Sequence, residues 1–217
     1  MTQGGITKIH TVTDLIVTAV DPVLDTVSGT AEAGTQVDIG HIYCDQNGCY
    51  GYRRVIADTN GDWIADFAHV GEDSDEQDII DIKPGMGNEA RQNDGDGDNT
   101  QYGWYVPNPF VEASPNSNWV HAREWPTGTL MTLTIDDPSN GAGVDYTTTA
   151  TMGQAPWNPG DPNDIVADFD LQGYDVQPGD VITGTGNETT KTLLVSELHI
   201  TSYDIEADTI SGVATSE

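Results

Sequence analysis

Asp25-Thr-Val-Ser-Gly-Thr-Ala-Glu-Ala-Gly-Thr-Gln-Val-Asp-Ile39 is the stretch whose reading decides the fold. Val37 and Ile39 alternate with polar residues, and Val27 sits in a Thr- and Ser-rich run that ends in Gly34. Period-two patterning around a glycine break predicts two strands and a turn. The opening of this stretch returns near the other end as Asp208-Thr-Ile-Ser-Gly-Val-Ala214. The return is part of a longer one. Each residue from Met1 to Gly34 lies over the residue 183 positions later, from Gly184 to Glu217, without a gap. Apolar residues coincide where strands need them (Val12 over Val195, Leu15 over Leu198, Val17 over Ile200, Val27 over Ile210), and Asp21, Asp25 and Gly29 lie over Asp204, Asp208 and Gly212. A long internal period is the signature of a repeat architecture.

A weaker repeat lies inside that period. Trp63-Ile-Ala-Asp-Phe67 reads like Ile165-Val-Ala-Asp-Phe169, with apolar residues at positions one, three and five on one strand face. Asp81-Ile-Lys-Pro-Gly85 reads like Asp175-Val-Gln-Pro-Gly179, and Thr35–Ile39 parallels Met131–Ile135. The expectation is an all-β chain holding two sandwiches of similar plan, at about 14–113 and 114–196, with Pro107, Pro109 and Pro115 in the joint. Residues 1–13 then read as the last strand of a preceding repeat, and 197–217 as the first strands of a following one; either may instead pair with a neighbouring chain. Val12, Leu15, Val17, Leu198, Ile200 and Ile210 are the expected contacts between units.

Asp25–Val37 resembles the opening of bacterial Ig-like tandem repeats in large secreted surface proteins, and Asp58-Thr-Asn-Gly-Asp-Trp63 resembles their Asp-x-Asn/Asp-Gly-x-Trp hairpin. The likeness is good for the first sandwich and the terminal segments and looser for 114–196; 41–56 and 86–106 depart from the family's short hairpins. It implies immunoglobulin-like antiparallel β-sandwiches acting as spacers in an extracellular stalk, adhesin or fibre, with no catalytic residues to carry over. A structural unit of a cell-surface filament, meeting copies of itself head to tail, is the first expectation. An adhesin or carbohydrate-binding module, meeting surface glycans, is the second. An accessory region of a larger secreted enzyme is the third.

Charge agrees with these classes. Seven basic residues face 36 acidic ones, a net charge of −29. Nucleic acid and anionic membranes attract the opposite sign. The acidity suits a surface that binds cations or stays soluble in high salt. No window is apolar enough to span a bilayer.

The sharpest candidate site is Asn93-Asp-Gly-Asp-Gly-Asp-Asn99. Asp94, Asp96 and Asp98, spaced by glycines, can curl around a hard cation such as Ca²⁺, which takes six to eight oxygens. Asn99 and Tyr105 stand where an EF-hand loop needs its glycine and its glutamate, so this is no EF-hand. Asn99 and Glu89 are the nearest further ligands, and the loop occupies the hairpin tip that corresponds to Gly186-Asn-Glu188. Asp58–Asp62 is first a hairpin turn, with a metal site as the weaker alternative. Glu72, Asp73, Asp75, Glu76 and Asp78 read as a solvated acidic loop, with a shared cation or a basic partner as the alternative.

Cys44 and Cys49 bracket the turn Asp45-Gln-Asn-Gly48, which faces the two sulfurs across a strand pair. A disulfide fits an oxidising compartment; two free thiols or half a metal site are the alternatives. The five histidines are dispersed and no nucleophile motif, P-loop or dinucleotide fingerprint occurs. His121-Ala-Arg-Glu-Trp125 is a locally dense cluster of His, Arg and Glu and reads as a strand entering a turn. Trp63 belongs to the core pattern. Trp119, Trp125 and Trp157 lie near Pro and Asn, placed to pack a joint or to stack on sugar rings.

Overall fold

The structure, a computed structural model, describes residues 2–3, 6–46 and 48–214. Among them every regular element is a β-strand, all sheets are antiparallel, and no helix is long and apolar enough to cross a membrane. The chain divides into two compact units, Met1–Pro107 and Asn108–Glu217.

In the first unit β1 (Thr2–Gln3) and β2 (Ile6–Thr7) form a short pair. The sandwich follows: β3 (Ile16–Asp21), β4 (Thr26–Thr30), β5 (Gln36–Ile39), β6 (Tyr43–Asp45), β7 (Gly48–Tyr50), β8 (Arg53–Ile56), β9 (Asp62–Asp66), β10 (Gly87–Asn93) and β11 (Asn99–Tyr105). A sheet in the order β3-β4-β9 and a sheet in the order β11-β10-β5-β8 supply the two sides of one core. Val27, Trp63 and Ala65 come from the first sheet, and Val37, Ile39, Ala90 and Trp104 from the second. The alternation in β9 explains its place: Trp63 and Ala65 are buried while Asp62, Ile64 and Asp66 are exposed. This is the strand order of an immunoglobulin-like sandwich.

The second unit repeats the plan with β12 (Phe110–Ser114), β13 (Trp119–Arg123), β14 (Leu130–Asp136), β15 (Tyr146–Thr151), β16 (Gly153–Gln154), β17 (Ile165–Asp168), β18 (Val181–Gly186) and β19 (Thr189–Leu194). Its sheets run β12-β13-β17-β16 and β15-β14-β18-β19. Strand for strand, β12 to β15 stand for β3, β4, β5 and β8, while β17, β18 and β19 stand for β9, β10 and β11. The core gathers Val120, Ala122, Leu133, Ile135, Ala167, Phe169 and Ile182. A last hairpin, β20 (Leu198–Asp204) with β21 (Thr209–Ala214), forms a two-stranded sheet by itself.

Three expectations need correction. The units meet at Pro107/Asn108 rather than at 113/114, because Phe110–Ser114 pairs with β13 as the first strand of the second sandwich. Pro115 therefore belongs to the turn inside that hairpin and not to a joint. Residues 8–15 form no strand, so in place of one strand over 1–13 the described residues hold only the short β1–β2 pair. Asp58–Gly61 is not a hairpin tip: β8 and β9 lie in different sheets, and the turn carries the chain between them.

Candidate functional site

The β10–β11 hairpin runs in register from Gly87↔Tyr105 to Asn93↔Asn99, which lifts Asp94–Asp98 off its tip. The Asp94 carboxylate accepts the N–H groups of Asp96 (3.1 Å) and Asp98 (3.0 Å), and the Asp94 N–H donates to the Asp98 carbonyl (2.8 Å). One carboxylate oxygen from each of Asp94, Asp96 and Asp98 comes within 4.8 Å of the others, a cluster able to hold an ion. Asn99 opens β11 beside it. Glu89 does not join: it lies five residues before Asp94, about 17 Å at strand rise, and binds Arg91 instead.

A chain segment ahead of β3 meets this loop. Lys8 Nζ donates to the Asp96 carbonyl (2.6 Å) and lies 3.8 Å from the Asp96 carboxylate and 3.6 Å from that of Asp98. His10 Nδ1 contacts Asp94 Oδ2 at 2.9 Å, and its Nε2 contacts Thr100 Oγ1 at 3.0 Å, which also accepts the Thr13 N–H. The His10 contact first, then a hydrogen bond shared with Asp96 and the backbone N–H donors, hold the Asp94 carboxyl well below the usual carboxylate range. The loop thus has an internal cation. Composition hid this, since Lys8 and His10 lie more than eighty residues away in sequence.

The second acidic loop is tied down, not simply solvated. Arg53 is buried and donates to the carbonyls of Asp66, His69 and Asp78 at 2.6–2.7 Å, with its guanidinium 4.9 Å from the Phe67 ring centre. Arg54 pairs with Asp73, and with Asp75 at 3.3 Å, while its N–H donates to the buried Glu76 carboxylate at 2.5 Å. The basic partner of the run is therefore this chain's own β8.

Cys44 and Cys49 form a disulfide between directly paired positions of β6 and β7. Asn47, in the expected turn between them, lies outside the described residues.

Trp63 is in the core as expected. Trp125 is buried too, its Nε1 donating to the Gly186 carbonyl at 3.2 Å. His121 lies between Trp119 and Trp157, with ring centres 4.2 and 4.8 Å away. Glu112 and Asp168 stand 3.5 and 3.3 Å from its two nitrogens. Arg123 bridges Glu112 and Asp164 at 2.5 and 2.9 Å. Trp157 keeps half its surface exposed.

The expected contact residues divide. Leu15 is buried in the first sandwich and Val17 packs against the same core, which corrects their reading as contacts between units. Val12, Leu198, Ile200 and Ile210 are strongly exposed.

A polar clasp, missed at the level of sequence, recurs in both sandwiches. Asp25 has φ +53°, and its carboxylate accepts the buried Ile82 N–H at 2.8 Å. Asn118 has φ +50°, and its side-chain oxygen accepts the buried Val176 N–H at 3.0 Å. Each clasp ties the first hairpin of its sandwich to the Pro-Gly turn before β10 or β18. The signal was present in the Asp-Ile/Val-x-Pro-Gly turns, but their partners are more than fifty residues away.

No protein-family model matches the chain, and no curated protein sequence matches it at a significant level. Among solved structures, the chain is similar to a crystal structure of a tetra-tandem repeat in the extending region of a large adhesion protein. Identity is 15%, the TM-score is 0.26, and the alignment covers 91% of this chain and 54% of that one. At that TM-score the two chains do not superpose as wholes. The class that fold and site define, an all-β protein built from recurring antiparallel sandwiches, stands on the correspondence among this chain's own strands.

Proposed function

We propose that this chain is a structural repeat segment of an extracellular filament, stalk or cell-surface fibre, without catalytic activity. One observation carries the reading: β20–β21 reproduces β3–β4 residue for residue, 183 positions on. Val17 and Ile200 each pair with a glycine at a register shift, and Asp21 and Asp204 each cap the following turn through two backbone N–H groups. A surface disulfide suits the same location. Electron microscopy of native material tests it. A fibre with two sandwiches per axial repeat is expected, and isolated globular monomers overturn it.

The Asp94–Asp98 loop is the proposed Ca²⁺ site. Its three carboxylates and the Asp96 carbonyl provide four oxygens, with water to complete the shell, and the ion takes the place of Lys8. Bound calcium replaces the Lys8 ammonium with a divalent charge that draws all three carboxylates to one centre, and so stiffens the tip. A calcium titration should raise the melting temperature by mass action, through about 2.7 kcal/mol of added stability at a hundred times Kd. Stabilisation only by molar salt of any kind defeats this assignment.

A second reading, adhesion to glycans, draws on Trp157, whose half-exposed ring is flanked by Arg123. Saturable glycan binding that Trp157→Ala abolishes supports it; unchanged binding in that variant removes it.

A further inference from the structure

β20–β21 is a finished half of something. In β3–β4, Val17 pairs with Gly29 and the register then shifts before Ala19↔Ser28. In β20–β21, Ile200 pairs with Gly212 and the register shifts before Ser202↔Ser211. Thr18 and Thr201 donate their hydroxyls to the carbonyls of Ser28 and Ser211. The glycines are required by close approach. A Cβ on Gly29 would strike the Ile16 carbonyl, and one on Gly212 would meet the His199 carbonyl at 2.7 Å. Asp208 takes φ +51°, as Asp25 takes +53°.

The two hairpins differ in what covers them. β4 pairs along its far edge with β9, and the Asp25 carboxylate holds the Ile82 N–H. Leu15 and Val27 are 4% and 0% exposed, whereas Leu198 and Ile210, which stand in the same places, are 80% and 71% exposed. Among the described residues the far edge of β21 pairs with nothing, and the Asp208 carboxylate has no hydrogen-bond partner. A lone two-stranded hairpin is marginal in water, and an open apolar strand edge templates pairing with another strand.

We infer that β20–β21 is the first hairpin of a third sandwich, and that Asp208 is the anchor on which the body of that sandwich docks. The inference rests on the tandem-repeat reading and adds the recognition element. The occupant is a segment of the 32–107 type joined in cis after β21. It supplies a β9-like strand for the open edge, then an Asp-Ile/Val-x-Pro-Gly turn whose main-chain N–H binds Asp208. A second copy of this chain is the poorer occupant, because its own 32–107 segment is already closed by its β3–β4. A segment in cis also arrives at high effective concentration.

The test appends residues 32–107 directly after Ala214 of the full chain, since Ala214 stands over Ala31. Hydrogen exchange of the β21 amides is the readout. Slowing of at least about a hundredfold is expected, together with a third unfolding transition. Asp208→Ala in the extended chain should return about tenfold of that protection, and Asp208→Asn should keep it, as Asn118 does the same work in the second sandwich. No slowing in the extended chain overturns the inference. Slowing that Asp208→Ala leaves intact overturns the anchor while the repeat reading stands. Protection of β21 in the unextended chain that rises with concentration makes a second copy the occupant and overturns the cis assignment. Should the extension aggregate, residues 198–214 are placed instead of 15–31 in the full chain. The first sandwich then folds if the hairpins are equivalent, and its loss overturns the inference. The filament reading itself fails separately, through microscopy of native material.

Discussion

Asp25→Ala removes two things at once from the first sandwich. The Ile82 N–H, on a residue 1% exposed, loses its acceptor at 2.8 Å. A buried donor left unpaired costs about 1–3 kcal/mol. Alanine must also take the left-handed backbone that Asp25 holds at φ +53°, at about 1 kcal/mol. The total, about 2–4 kcal/mol, corresponds to a fall of about 8–16 °C in the melting temperature of a unit this size. Calorimetry of the full chain is the assay, because two sandwiches need not melt as one transition. Asp25→Ala should lower the transition of the first unit and leave the other, and Asn118→Ala should do the reverse. Asp25→Asn keeps an acceptor and tolerates the φ, so it should stay near the parent. Asp25→Gly relieves the backbone and loses only the hydrogen bond, which separates the two contributions. Equal melting of the Ala and Asn variants would show that Ile82 finds another partner and that the clasp holds nothing.

Three further outcomes follow from the same structure. Burial first, and then the Asp137 and Asp145 charges, raise the Asp180 carboxyl above the usual carboxylate range. A raised acid makes the folded state hold its proton more tightly than the unfolded state, so stability falls as pH rises through the interval above 3.8. Asp180→Asn should therefore stabilise the second unit at neutral pH, with the gain shrinking toward pH 4, as read by melting curves across pH; a gain that grows on acidification refutes this. Replacing both Cys44 and Cys49 by Ser should speed exchange of the β6 and β7 amides while shifting the melting of the first unit by less than about 1 kcal/mol equivalent. The pair belongs to neither sandwich sheet, so the loop-closure contribution, about 2 kcal/mol for so short a loop, stays local. Trp125→Phe should cost more in denaturant titration than Trp104→Phe, since Trp125 gives up a bond to Gly186 while the buried Trp104 Nε1 has no partner to lose.

Much of this protein was legible as sequence because its information is local or periodic. Alternation in Trp63–Phe67 and Ile165–Phe169 determined which residues face the cores, and a constant spacing determined that β20–β21 would copy β3–β4. The carboxylates at 94, 96 and 98 were visible for the same reason, being neighbours on a glycine-spaced loop. The tertiary structure alone decided how distant partners satisfy buried or crowded polar groups. It placed Lys8 and His10 on the acidic loop, turned Arg53 and Arg54 into anchors for Glu72–Asp78, and sent Glu89 to Arg91. It moved Phe110–Ser114 into the second sandwich through pairing with β13. It also showed that Asp25 and Asn118 share a role under different names. Pattern reports which face a residue occupies; only the folded chain reports which N–H, ammonium or carboxylate stands within hydrogen-bond reach of it, because those contacts join segments that no spacing in the sequence connects.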